Sequence, residues 1–174
     1  HGALGIPRND DWSYLRVAFD LASTAEVHLT GWVQMFFLGQ AVIAQPIIAI
    51  AGPSVVALQI TTALGAGAAL ALTYLLLRHL LPVPLALLAI APVALGPMLG
   101  SLATTFMTDV PAWLLSVVAL TAGAQALRTR DARNTPRANA HAIAWLAVAA
   151  VAGLAAFTIR EYGLLSWLAV GLVA

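Results

Sequence analysis

The chain has 174 residues, 61% of them hydrophobic and 9% charged, with a net charge of +1 and no cysteine, and its mean hydropathy is +0.93. A soluble domain carries about 25% charged residues and at this size still exposes much of its surface, so the composition suits a protein whose partner solvent is a lipid bilayer. The missing cysteines exclude disulfides, thiolate zinc sites and thiol chemistry, and the near-neutral charge gives no basis for nucleic acid as a partner.

The first segment, 1–52, reads as an external loop. From Trp12 the apolar residues Leu15, Ala18, Phe19 and Ala22 recur at helical spacing, with Arg16 and Asp20 on a more polar side. This is the pattern of an amphipathic helix lying in a membrane interface, with Trp12 and Tyr14 as its anchors. Asp10 and Asp11 stand at its start. They suit helix capping; as paired carboxylates at a membrane surface they also repel each other, so that one keeps a proton or attracts a cation. His28, in a short alternating stretch, reads as a surface histidine. The apolar stretch from Val33 to Leu77 is too long for one span, and Pro46 and Gly52-Pro53 are expected to break it into an interfacial helix and a span proper.

A bilayer-spanning helix needs about 20 largely apolar residues. Four complete candidates follow, at about 53–77, 84–100, 110–127 and 142–158, and a partial one runs from 163. The second contains Pro92 and Pro97, and its Gly96 and Gly100 form a GxxxG pair of the kind that lets helices pack closely. The expected fold is all-α: a polytopic transmembrane bundle over 53–174, preceded by interfacial helices. Beginning at His1 and stopping at Ala174 within an apolar run, the chain reads as one piece of a larger membrane domain. Every Lys or Arg position is Arg, which with the alanine content hints at a GC-rich bacterial genome.

Arg128, Arg130, Arg133 and Arg137 crowd the connection after the third span, and short loops rich in Arg stay cytoplasmic. Arg78 and His79, two crossings earlier, share that side. Alternation then puts the segment before Pro53, the 101–109 connection and Arg160-Glu161 outside. Asp10, Asp11, Asp20, Glu26, Asp109 and Glu161 all fall on the outer face, with Asp131 alone inside. Carboxylates from three separate segments can therefore meet at one membrane interface. Thr108-Asp109-Val110-Pro111 is a helix start whose carboxylate can also face a ligand. Arg160 can hold a phosphate, because a planar guanidinium donates paired hydrogen bonds. No His/His or His/Glu pair has metal-ligand spacing.

These residues carry a resemblance to the membrane glycosyltransferases of the GT-C superfamily, within it to the bacterial family-39-like group of protein O-mannosyltransferases and aminoarabinose transferases. Asp10-Asp11-Trp12-Ser13-Tyr14 looks like the Asp-Glu-x-x-Tyr of that family's first external loop, with Asp11 in place of the usual Glu. Thr108-Asp109-Val110-Pro111 looks like its Thr-Asp-x-Pro, and Gly153 to Arg160 is similar to its Gly-rich helix ending in a basic residue. The resemblance implies transfer of a sugar from a polyprenyl-phosphate donor to a lipid, glycan or protein acceptor, on the periplasmic or extracellular side of a multi-pass protein of the bacterial plasma membrane. It implies Asp10 as the catalytic carboxylate, acting as general base, and Asp109 as a second catalytic residue that orients the acceptor. Asp11, Tyr14, Arg160 and Glu161 would bind substrate, Arg160 at the phosphate. Metal use varies across the superfamily; Asp10 and Asp109 are the residues that would hold a divalent cation, magnesium or manganese.

Two rival functions make different demands on the sequence. A transporter or channel module calls for charges deep inside spans, where this chain has only neutral polar residues such as Gln59, Thr61, Thr62 and Gln125. A noncatalytic membrane subunit calls for an Asp10 and an Asp109 that tolerate Ala or Asn.

Overall fold

The computed structural model describes residues 4–8, 10–29, 31, 37–132 and 136–173, apart from the side chains of 131, 132, 137 and 173. Its elements are α1 (Asp11–Thr24), α2 (Leu38–Ala51), α3 (Val55–Leu77), α4 (Val83–Leu95), α5 (Pro97–Ala103), α6 (Asp109–Ala132), α7 (Pro136–Phe157) and α8 (Gly163–Val173). Among the described residues there is no strand. Three stretches, Val55–Leu77, Asp109–Arg130 and Ala138–Phe157, are long and apolar enough to cross a membrane, and α4 with α5 makes a fourth if the bent pair is one span. The chain is all-helical and compatible with a membrane protein.

In α3 the hydroxyl protons are taken up by the helix itself, whereas Ser116 Oγ and Thr121 Oγ1 of α6 are buried with no hydrogen-bond partner among the described residues. Thr61, Thr62 and Thr73 each donate to the carbonyl four residues back, at 2.9, 3.0 and 2.7 Å, which is how a hydroxyl is accommodated inside an apolar helix. Ser54 starts α3 by accepting from the Ala57 amide at 3.3 Å, a side-chain N-cap.

Several boundaries differ from those expected. The span at 84–100 is two helices bent by 64°. Pro97 has no amide proton to donate, and a residue before proline is pushed out of the helical region; Gly96 accordingly has ψ 137. The GxxxG pair does not mediate packing, since Gly96 lies at the bend and a Cβ on Gly100 would meet open space. Pro46 does not break α2, which runs through it; the break is at Gly52, whose φ of +70 suits a residue without Cβ. Helix also extends through most of the basic connection, for α6 continues to Ala132 and α7 begins at Pro136. Arg133 lies outside the described residues, as do 32–36, where the apolar stretch before Pro53 begins.

α1 is turned differently from the apolar pattern. Its buried residues are Asp11, Ser13, Tyr14, Leu15, Val17 and Ala18, while Ala22 is exposed and Phe19 half-buried. Tyr14 is no interfacial anchor: it is 5% exposed and its ring tilts against Phe37 at 5.5 Å. Trp12 faces outward. The rotation follows from the hydrogen bonds that draw Asp11 inward, which bring the Asp11–Tyr14–Ala18 stripe onto Phe37, Ala41 and Ala44 of the α2 segment, Leu58 of α3, and Phe106. Gln45 joins the two helices, donating from Nε2 to Ala18 O of α1 at 3.2 Å and to Ala41 O of its own helix at 2.7 Å.

α6 is the central helix, packed on α3, α7 and α8. Close approaches need glycine at Gly123, where a Cβ would meet the Val170 side chain, and at Gly153, where it would meet Trp167. At one end of the helices Arg128 Nη1 of α6 lies 2.9 Å from His79 Nδ1 after α3. At the opposite end the start of α2 meets the end of α7, Gly39 N donating to Thr158 O at 3.2 Å. The acidic segments gather at this second end.

Candidate functional site

The site is built on a helix start and a tight turn. Thr108 precedes α6, its carbonyl accepting from Ala112 N at 3.2 Å, and Asp109 places a carboxylate in the first turn, where the helix dipole favours negative charge. Arg160 comes from the turn between α7 and α8. Its amide donates to Ala156 O and its carbonyl accepts from Gly163 N, both at 2.9 Å. Gly163 lies so close to the backbone of Ala156 and Phe157 that a Cβ there would collide with it, and this closeness sets where Arg160 emerges.

The Arg160 guanidinium bridges the two residues at the head of α6. Nη2 donates to Asp109 Oδ2 at 2.8 Å and Nε to Thr108 Oγ1 at 2.6 Å. The paired side chains are 15% and 31% exposed, so the pair is partly shielded from water. Nη1 takes part in neither bond. Tyr14 and Tyr162 border the same charges. Burial raises the Tyr14 hydroxyl above its ordinary value, with Arg160 pulling it down and Asp10 and Asp109 pushing it up. Burial likewise raises Tyr162, Asp109 adding to the effect and Arg160 opposing it. Both hydroxyls are therefore protonated donors at neutral pH.

The two adjacent aspartates have separate environments. Asp10 is exposed; it occupies the N-cap of α1, but its side chain makes no capping bond, and its backbone carbonyl accepts from Ser13 N at 3.0 Å. Asp11 is fully buried. Its Oδ1 accepts from Arg8 N at 2.6 Å and its Oδ2 from Phe106 N at 3.3 Å, and the Gln59 side chain lies close enough to favour its charged form. Burial outweighs these donors and the Arg8 charge, raising the Asp11 carboxyl above its ordinary value. The expectation that Asp11 contacts substrate gives way to a clamp role: its oxygens are committed to backbone donors from two segments, and no face of it reaches solvent.

No family model, curated protein or solved structure matches the chain. The site's own chemistry is what speaks for its function.

Of the residues expected at the site, Asp109 and Arg160 pair directly, and Tyr14 feels the charges of both and of Asp10. Glu161 is exposed on the same turn. Asp20 instead pairs along its helix with Arg16 at 3.8 Å, and Glu26 lies 3.1 Å from His28 Nε2, both exposed. Two contributors were not singled out from the sequence. Tyr162 adjoins the ion pair, and Gln59 anchors the N-terminal segment, accepting from Gly5 N at 2.7 Å and donating to Ile6 O at 3.2 Å. An amide in an otherwise apolar helix was the available signal for Gln59.

The donor set does not fit a built metal site. Among the described residues no three His, Asp or Glu side chains form a group able to hold a metal ion, and Asp109 already has the Arg160 guanidinium as its counter-charge. What the arrangement offers is a cation fixed at a helix start, two neutral phenols and an exposed carboxylate. Those groups can bind an anionic oxygen and take a proton beside it.

Proposed function

We propose that this protein is a GT-C-type glycosyltransferase, a polytopic helical protein of the bacterial plasma membrane. It would move a sugar from a polyprenyl-phosphate donor to a hydroxyl-bearing lipid, glycan or protein acceptor at the outer face. Asp10 takes the proton of the acceptor hydroxyl. The acceptor oxygen forms a bond to the anomeric carbon as the bond from that carbon to the phosphate oxygen breaks, and the phosphate leaves with the electron pair. Arg160 meets the negative charge that grows on the departing phosphate, Asp109 and Thr108 holding the guanidinium in place. Tyr14 and Tyr162 donate hydrogen bonds to the sugar or phosphate. No step requires a metal ion.

The observation that carries this assignment is the Arg160 guanidinium clamped between Asp109 and Thr108, at the acidic end of helices apolar enough for a membrane. A prenyl-phosphate sugar combines an apolar tail, an anionic head and a polar sugar, and this end of the molecule matches each in turn. A second role, a structural latch between α6 and the α7–α8 turn, is favoured by the partial burial of the pair.

Sugar transfer from a labelled polyprenyl-phosphate donor, measured in membranes with the protein expressed from its own gene, tests the assignment. The expected outcome is transfer by the wild type and its loss in Asp10→Asn and Arg160→Gln at matched levels of inserted protein. Transfer that survives both substitutions removes these residues from the chemistry and leaves the latch. No transfer across several donors removes the transferase function.

A further inference from the structure

The end of the helices opposite the Arg160–Asp109 pair is tied together by arginines. α3 stops at Leu77 and the chain turns at once toward α4, His79 N donating to Leu76 O at 3.1 Å and Leu81 N to Leu77 O at 2.8 Å. Arg78 closes this turn from its side chain, Nη1 donating to Leu81 O at 2.8 Å. Arg128, near the end of α6, comes alongside and sets its Nη1 2.9 Å from His79 Nδ1. A guanidinium has donors only, so His79 Nδ1 is the acceptor and the ring carries its proton on Nε2.

The result is a surface of donors beside bare apolar side chains. Arg78 and Arg128 have no carboxylate partner among the described residues, and between 78 and 137 the chain holds only two acids, Asp109 at the other end and Asp131. Arg128 and His79 are exposed and Arg78 is half-buried. Both helices that end here are long and apolar enough to cross a membrane. Next to the arginines Leu75 of α3, Leu80 of the turn and Val83 of α4 are exposed, Leu80 by 80%. A soluble phosphate would use the donors and leave these side chains in water; a phospholipid would cover both.

We propose that Arg78, His79 and Arg128 form a binding site for the phosphate of an anionic phospholipid, whose acyl chain lies along Leu75 and Leu80. The phosphate oxygens accept from the N–H groups that the two guanidiniums do not spend on Leu81 O and His79. Arginines at the end of a membrane helix attract anionic headgroups. Here the attraction has a fixed position, because the His79 bond holds Arg128 against a turn 49 residues away. A zwitterionic headgroup brings its own cation toward the arginines and loses part of the attraction. This site does not depend on the transferase chemistry assigned to Asp10 and Arg160.

Lipid binding to the full chain, delipidated in a neutral detergent and read by native mass spectrometry, tests the proposal. The probes are phosphatidylglycerol, phosphatidylcholine and inorganic phosphate. The expected result is a first phosphatidylglycerol held about tenfold tighter than phosphatidylcholine and not released by prior incubation with millimolar phosphate. Arg78→Gln and Arg128→Gln should each weaken it about fivefold. His79→Phe removes a ring that is uncharged while it accepts from Arg128, and should still weaken binding about threefold, which diffuse charge attraction does not predict. Arg16→Gln, at the exposed pair with Asp20 on α1, should leave it unchanged. Equal affinity for the two lipids in the wild type, a comparison that needs no variant to fold, would overturn the proposal. So would full affinity in His79→Phe, or a loss in Arg16→Gln as large as that in Arg128→Gln. Release of the lipid by phosphate would make this a free-anion site and overturn the lipid assignment.

Discussion

Arg160 Nη2 stands 2.8 Å from Asp109 Oδ2, joining two residues 51 positions apart. With the Nε bond to Thr108, this pair fastens the α7–α8 turn to the head of α6. It is also the fixed positive charge on which the proposed phosphate chemistry depends. A partly shielded pair with such geometry couples more strongly than a fully exposed one, which contributes roughly 0–1 kcal/mol.

A double-mutant cycle with Arg160→Met and Asp109→Ala should give a coupling energy on the order of 1 kcal/mol. Arg160→Met should be the more destabilising single change, because it leaves both Asp109 and Thr108 without their partner. Unfolding in detergent for the four proteins measures this. Strict additivity would mean that the pair holds nothing together.

Asp10→Ala should leave stability within about 0.5 kcal/mol of wild type, as for exposed positions without a special interaction. A side-chain N-cap would cost about 1 kcal/mol on removal, but Asp10 makes no such bond. Helix content and unfolding midpoint of Asp10→Ala decide between these values. A loss of cap size would return Asp10 to a structural role.

Asp11 should make stability depend on acid pH. Burial raises its folded-state value above the ordinary 3.8, so the folded protein holds this proton more tightly than the unfolded chain does. The contribution is present in full below 3.8 and is lost as pH rises through the raised folded value. The stability of wild type relative to Asp11→Asn should therefore fall with rising pH across that window and be level above it. Unfolding midpoints of both proteins as a function of pH measure the slope. A wild type that gains stability relative to Asp11→Asn as pH rises would contradict the sign.

That Asp109 and Arg160 share one end of the helices was legible in the sequence because alternation of long apolar segments constrains which connections lie together. Thr108-Asp109-Val110-Pro111 also announced its helix start through local chemistry, a capping residue followed by proline in the first turn. The bend at Gly96-Pro97 was signalled by the same kind of rule, but the apolar run hid it, since 84–100 satisfies a span by length alone. α1 was legible as a helix and not in its orientation. Its apolar spacing points to Ala22, yet the stripe that packs runs through Asp11, and the pattern of apolar residues alone does not say that a carboxylate will be drawn inside.

The sequence by itself determined that long apolar helices form, roughly where they begin and end, and that Asp109 and Arg160 share one end of them. Those features follow from local periodicity, capping and the length of apolar runs. Only the tertiary structure decided that Asp11 is the buried clamp and Asp10 the exposed carboxylate, and that Gln40 is buried with its amide oxygen unpaired among the described residues. The reason is distance along the chain. The amide that holds Asp11 belongs to Phe106, 95 residues away, and the carbonyl that orients Gln40 belongs to the same residue, 66 away. Adjacent aspartates of identical chemistry are told apart by partners that no local pattern contains.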